Sequence, residues 1–158
     1  MFRELVRFKQ ALGMEDCIEV LKSERRGVLS VNGDGGYPYC MPLNHYYDEE
    51  SGKIYFHGGA EGHKIDAIKA DDKVCYCVYD QGKHVGENWW LTVKSVIVFG
   101  RARLIEDKDL TEEISRKLCL KFTDDREYID KEVEKSLWRT LLFELEPEHI
   151  SGKLVNER

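Results

Sequence analysis

The run VKSVIVFGRARLIED, residues 93–107, constrains the fold more than any other stretch of the chain. Val96, Val98, Gly100, Ala102 and Leu104 alternate with Ser95, Ile97, Phe99, Arg101 and Arg103, the two-residue period of an extended strand. Both faces carry side chains that want cover. A strand this long, occupied on both sides, predicts a barrel or a sandwich rather than an open sheet with one wet face.

The rest of the chain fits around it. Met14, Cys17, Ile18 and Leu21 recur at helical spacing, and GVLSV (27–31) reads as a strand ended by the turn-rich NGDGG. YPYCMPLNHYY follows as an aromatic strand. Pro38 and Pro42 each remove a ladder donor, so it is expected at an edge or with a bulge. DEESG turns the chain into KIYFHG, and these three runs are predicted to form an antiparallel meander. HKIDAIKADD is a short helix with Ile65 and Ile68 inward, KVCYCVYD a strand, and QGKHVGENWW a polar connection.

Beyond the long strand, one helix is predicted to open at Asp109 with Glu112 three residues on. It buries Leu110, Ile114, Leu118 and Phe122, and pairs Glu112–Arg116 and Glu113–Lys117 on its wet side. A second helix uses Ile129, Val133 and Leu137, and LLFELEPEHISGK closes the chain as a strand. No repeat or linker interrupts the pattern. With 158 residues, one domain over 1–158 is expected, burying roughly 70% of its unfolded surface. The predicted class is α+β, predominantly β: about six strands in a small barrel with a helical pair outside.

A hydrophobic share of 42%, a charged share of 34% and a net charge of −6 describe a globular domain poorly suited to nucleic acid. The doublet Arg25–Arg26 and the pair Arg101, Arg103 read as solvated strand surface. No run approaches the ~20 apolar residues of a membrane helix. The start MFRELVRFKQ lacks an apolar stretch of signal-peptide length, so a cytoplasmic location is expected. The five cysteines include no C-x-x-C pair and are expected as reduced core thiols, Cys75 and Cys77 on one strand face.

The chemistry gathers in YFHGGAEGHK, residues 55–64. His45, His57 and His63 do not show the tight paired spacing of zinc ligands, and no nucleophile elbow accompanies them. A glycine-rich turn between strand and helix suits an anion: amides approach closely, the helix start adds its dipole, and Lys64 adds a charge. A plain turn explains the glycines equally well. The adjoining M-P-L-N-H-Y, interrupted by proline, offers unpaired backbone groups to a flat heteroaromatic ring.

In order, GVLS, G-Y-P-Y-x-x-P-L-N, K-I-Y-F-H-G-x-x-E-G-H-K-x-D-A-I, V-C-Y-x-V, S-V-I-V-F-G-R-A and L-E-P-E-H-I-S-G-K resemble the pyridoxamine-phosphate-oxidase-like FMN-binding split barrels. Within these they are most similar to the branch named for 5-nitroimidazole antibiotic resistance. The likeness runs from about Cys17 to Lys153. It implies a six-stranded split barrel that forms a homodimer, with FMN held between the subunits.

Carried onto this sequence, the resemblance places Pro42, Leu43 and Asn44 along the flavin ring and His57 and Gly58 beside the ribityl chain and phosphate. Lys64 falls on the phosphate, Ser95 and Val96 near the flavin or its phosphate, and Lys153 as a second phosphate-side lysine. His63, in the G-H-K motif, is the expected catalytic residue, and no metal is expected. Glu61 is then expected to point away from the phosphate. The implied activity is an FMN-dependent oxidoreductase, reduced by NADH, NADPH or another donor and passing electrons to a small acceptor, plausibly a nitroaromatic. The alternatives are a non-catalytic flavin or haem binder and, third, a pyridoxal-phosphate-type binder or a pyridoxamine-phosphate oxidase proper, for whose carboxyl-terminal arginine/histidine motif EPEHISGKLVNER offers no match.

Overall fold

In the computed structural model, which describes residues 2–157, the long run is strand β7 (Leu91–Ile105). It pairs antiparallel with the closing strand β8 (Thr140–Asn156), from Thr92 opposite Asn156 to Ile105 opposite Leu142. The register slips once, between Phe99 and Gly100, where Glu148 of β8 is the extra residue. Gly100 is needed at that bulge, because a Cβ there would lie 2.1 Å from the Glu146 carbonyl oxygen.

The other strands are β1 (Arg26–Asn32), β2 (Pro38–Asn44), β3 (Tyr46–Tyr47), β4 (Ile54–Gly59), β5 (Lys73–Tyr79) and β6 (Lys83–His84). Their order in the sheet is β2-β1-β5-β7-β8-β4-β3, with β6 added to β7. The six expected strands are therefore present, joined by the two-residue β3 and β6.

The predicted meander is not continuous. The run YPYCMPLNHYY breaks at His45: β2 pairs with β1, β3 pairs with β4, and β4 finds its main partner in β8. Since β2 and β3 are consecutive in the chain yet lie at opposite ends of the sheet, the sheet must curl until its edges meet at His45. That curl makes a split barrel, with a seam between the free edge of β2 and β4.

His45 holds the seam. It is fully buried, and its backbone N–H donates to the Arg25 carbonyl at 3.2 Å. Its Nε2 lies 2.7 Å from the Leu21 carbonyl oxygen, which requires a proton on that nitrogen. Nδ1 is left to accept from the Tyr76 hydroxyl at 2.9 Å, while Leu43 O lies 3.0 Å from the same hydroxyl. Burial lowers the His45 pKa to about 4, so the ring is neutral. Lys121 Nζ completes the knot by donating to the carbonyls of Glu24 (2.5 Å) and His45 (3.0 Å).

The interior is filled from alternate strand positions, Leu29, Val31, Ile54, Phe56, Val74, Tyr76, Val78, Val96, Val98, Phe143 and Leu145. Helix α1 (Met14–Ser23) closes the barrel with Cys17, Val20 and Leu21, and α2 (His63–Ala70) adds Ala67 and Ile68. The helical pair α3 (Lys108–Leu120) and α4 (Arg126–Ser136) packs outside, where Ile114 meets Tyr55 and Leu142. Burying a side chain such as Ile114 stabilises by about 2 kcal/mol.

Two details of α3 differ from expectation. Its N-cap is Asp107, whose carboxylate accepts from the backbone of Asp109 and Leu110 at 3.0 and 3.1 Å, so the helix starts before Asp109. Phe122 lies beyond the helix end, exposed, with the Arg25 guanidinium 5.3 Å from its ring centroid. The cysteines also depart from a core role: Cys17 alone is buried, Cys40 is exposed, and Cys75, Cys77 and Cys119 are half-buried. Cys75 and Cys77 do share one face, but it is the outer face of β5. Among the described residues, no helix is long and apolar enough to cross a membrane.

Candidate functional site

At the seam, Arg26, Pro42, Leu43, Asn44 and His57 line a cavity of about 360 Å³. The sequence separates Asn44 from His57 by a turn and most of a strand; the curl of the sheet puts them in contact with the same space. Because β2 pairs only with β1, its second edge has no strand beside it along Pro42–Asn44, although the Leu43 carbonyl is taken by the Tyr76 hydroxyl. The expectation of an edge strand there holds.

His57 is the junction of the site. It borders the seam cavity, a second cavity of about 400 Å³ with Gly58, Gly59, Ser136, Arg139 and Thr140, and a smaller, mostly apolar one between α3 and α4. Nδ1 lies 3.2 Å from the Ser115 hydroxyl, and burial lowers the ring's pKa, so it sits neutral at physiological pH.

Lys64 reaches back from the first turn of α2 over β4. Its Nζ lies 3.2 Å from where a Cβ on Gly58 would sit, so the glycine makes room for the ammonium. Gly62, at φ +114°, opens the helix in a backbone region that side chains rarely adopt. Neither Lys64 nor Arg139 makes an ion pair with a described residue, whereas Arg101 holds Asp72 and Glu148 and Arg103 holds Glu146. Lys64 by Gly58, and Arg139 in the cavity lined by Gly58 and Gly59, leave two cations without carboxylate partners near the Gly-Gly strand end. Glu61 is exposed and engages neither cation.

The remaining predicted residues fall in three places. Asn44 pairs with Arg26, and Tyr79 pairs with Ser95, which pairs with Lys153. Continuing the β1–β5 register sets Arg26 opposite Tyr79, so all five lie in one row on the outer face of the sheet. Asn44 and Ser95 are three strand spacings apart, about 14 Å. Val96 points the other way: it is fully buried in the barrel core, and its side chain offers a ligand no surface.

His63 is also elsewhere. It stacks on Tyr39 with centroids 4.2 Å apart, and its Nε2 lies 3.6 Å from Asp34, outside the seam cavity. The geometry puts His57, rather than His63, against the space a ring would fill. Trp89 and Trp138 are exposed, so neither belongs to the core. Sequence reasoning missed Arg26 and Arg139. Arg26 carried a signal, a doublet directly before a strand, while Arg139 follows a helix end with no motif around it. Among the described residues no three His, Cys, Asp or Glu side chains converge as metal ligands would.

A curled, antiparallel sheet whose edges meet at a seam lined by Arg26, Pro42, Leu43, Asn44 and His57 defines a split-barrel protein. A family profile described as pyridoxamine 5'-phosphate oxidase matches residues 14–154, and the chain belongs to that family. Compared with curated proteins, it finds no match.

Among solved structures it is similar to a protein from Bacteroides thetaiotaomicron provisionally described as a 5-nitroimidazole antibiotic resistance protein. The TM-score is 0.77 at 17% identity, over 92% of this chain and 87% of that one. It is also similar to a FAD-binding protein from Mesorhizobium loti (TM-score 0.65, 24% identity, 92% and 97% covered). A flavocytochrome from Azotobacter vinelandii gives a TM-score of 0.75 at 19% identity, with 96% and 72% covered. These likenesses establish the fold.

Proposed function

We propose that this protein is an FMN-dependent oxidoreductase that works as a homodimer. The observation that carries the proposal is a strand edge without a partner at the seam, with a cavity beside it and the unpaired cations Lys64 and Arg139 next to His57 and Gly58. The flavin ring would lie along Pro42, Leu43 and Asn44, where the second edge of β2 has no strand beside it. The phosphate would sit with Lys64, Arg139 and the amides of Gly58 and Gly59. Bound FMN would supply the redox chemistry, linking oxidation of NADH, NADPH or another hydride donor to two-electron reduction of a small acceptor such as a nitroaromatic.

His57, neutral and hydrogen-bonded through Nδ1, would orient the acceptor or hand over a proton at Nε2. His63 keeps a supporting part at the start of α2. Ser95 and Lys153 end the outer row that begins at Asn44, and a second subunit laid on that face would reach the same cofactor. The face favours such a partner, since Val28, Cys77 and Ile97 present apolar atoms on it, beside a Phe99 ring stacked by Phe2. The flavin-binding and flavocytochrome descriptions of structural neighbours support a flavin and leave room for a binder without turnover.

The test is the absorption spectrum of the purified protein with FMN, before and after anaerobic NADH or NADPH. Flavin that bleaches and recovers on adding a nitroaromatic supports the enzyme. Flavin that stays oxidised with both donors favours the binder. Failure to take up FMN or FAD overturns the proposal.

A further inference from the structure

A further cavity, of about 510 Å³, adjoins the seam and shares Arg26 and Pro42 with it. Pro42 and Val28 give it an apolar wall, the half-exposed Tyr79 ring an open aromatic face, and Ser23 and Gln81 polar atoms. Its distinguishing feature is Arg26. Arg25 is engaged with the Phe122 ring, and Arg101, Arg103 and Arg116 each hold carboxylates. Among the described residues, no side-chain hydrogen bond or ion pair engages the Arg26 guanidinium, although it borders both cavities. A free planar guanidinium beside an apolar wall and a ring face suits an aromatic carboxylate, which it can hold through two parallel N–H···O bonds.

The other charged groups decide how much negative charge fits. Glu24 lines the same cavity; burial, and then the charge of Asp80, push its carboxyl up. Lys121 faces this region but spends its ammonium on the Glu24 and His45 carbonyls. Arg25 also lines the cavity but stacks over the Phe122 ring, so Arg26 and Glu24 set the charge beside the apolar wall, and one negative charge opposite Arg26 fits there better than two.

We infer that this cavity binds the acid group of a planar, monoanionic aromatic carboxylate, with Arg26 as its specificity-determining partner. The ring then extends over Pro42 toward the seam cavity, which would set the far end of the acceptor against a flavin ring lying along Pro42–Asn44. That last step rests on the flavin reading above; the carboxylate site does not.

Calorimetric titration of the purified full chain with benzoate, benzamide and phenyl phosphate, each with and without FMN, tests the site. Benzoate should bind at least roughly tenfold more tightly than benzamide and phenyl phosphate. Arg26→Gln should weaken benzoate roughly tenfold to a hundredfold and erase its advantage over benzamide, the scale of lost charge-assisted hydrogen bonds. Arg26→Lys should restore it in part. Equal affinity for benzoate and benzamide overturns the inference. So does an Arg26→Gln variant that keeps the benzoate preference and loses only FMN. If no flavin binds while the Arg26-dependent benzoate preference persists, the carboxylate site stands and the oxidoreductase reading falls.

Discussion

His57 and Lys64 sit seven residues apart in sequence and serve different parts of one ligand. If Lys64 holds a phosphate, Lys64→Met should weaken FMN roughly tenfold to a hundredfold and leave riboflavin, which lacks the phosphate, almost unchanged. Fluorescence titration with both flavins measures this, and an equal loss for the two would remove Lys64 from the phosphate. His45 supports a second prediction. Its folded pKa, about 4, lies below the ordinary histidine value of 6.5, so the unfolded chain takes up the proton first as pH falls. Its contribution is fully present above pH 6.5 and is lost as pH drops toward 4, by about 3 kcal/mol in all. Urea titrations across that window should show the loss, and His45→Gln should flatten the slope by up to one proton.

At the scale of elements, the β7–β8 ribbon depends on two glycines. Gly100 stands against Glu146 O, and Gly152 leaves space for Cys17 Sγ, which would lie 2.4 Å from an added Cβ. Backbone cannot yield as a side chain can. Gly100→Ala should therefore destabilise by about 2 kcal/mol or more, and Gly152→Ala should lean on α1 instead. Thermal unfolding of both variants, with Asp107→Ala as a reference near ~1 kcal/mol for a lost helix cap, ranks them. A Gly100→Ala protein as stable as the parent would contradict the bulge geometry. The helices, the edge strand and the long strand were legible because each announces itself through local period, proline or turn residues. The split at His45 was not, since nothing local distinguishes a strand that pairs along its whole length from one that changes partner midway.

For the whole molecule, the outer face of β1, β5 and β7 gives the decisive prediction. A dimer closed over it should sediment at twice the 18.4 kDa of the chain. Ile97→Glu, a charge placed on that face, should yield monomers and cost FMN affinity at the same time. A monomer at micromolar concentration that still binds FMN tightly would separate the cofactor from the interface.

The sequence by itself determined the strand and helix content, the barrel class, the free edge at Pro42–Asn44 and the basic, glycine-rich strand end at His57–Lys64. These follow from side-chain period, missing proline donors and turn chemistry, all of which act over a few residues. The tertiary structure alone decided that His57 and Asn44 share a cavity, that Val96 turns into the core while Ser95 turns out, and that Cys75 and Cys77 lie outside the barrel. It alone brought Arg26 and Arg139 to the site. The reason is the curl of the sheet: pairing register and closure set which face is inside and which distant strands meet, and neither is written in local pattern.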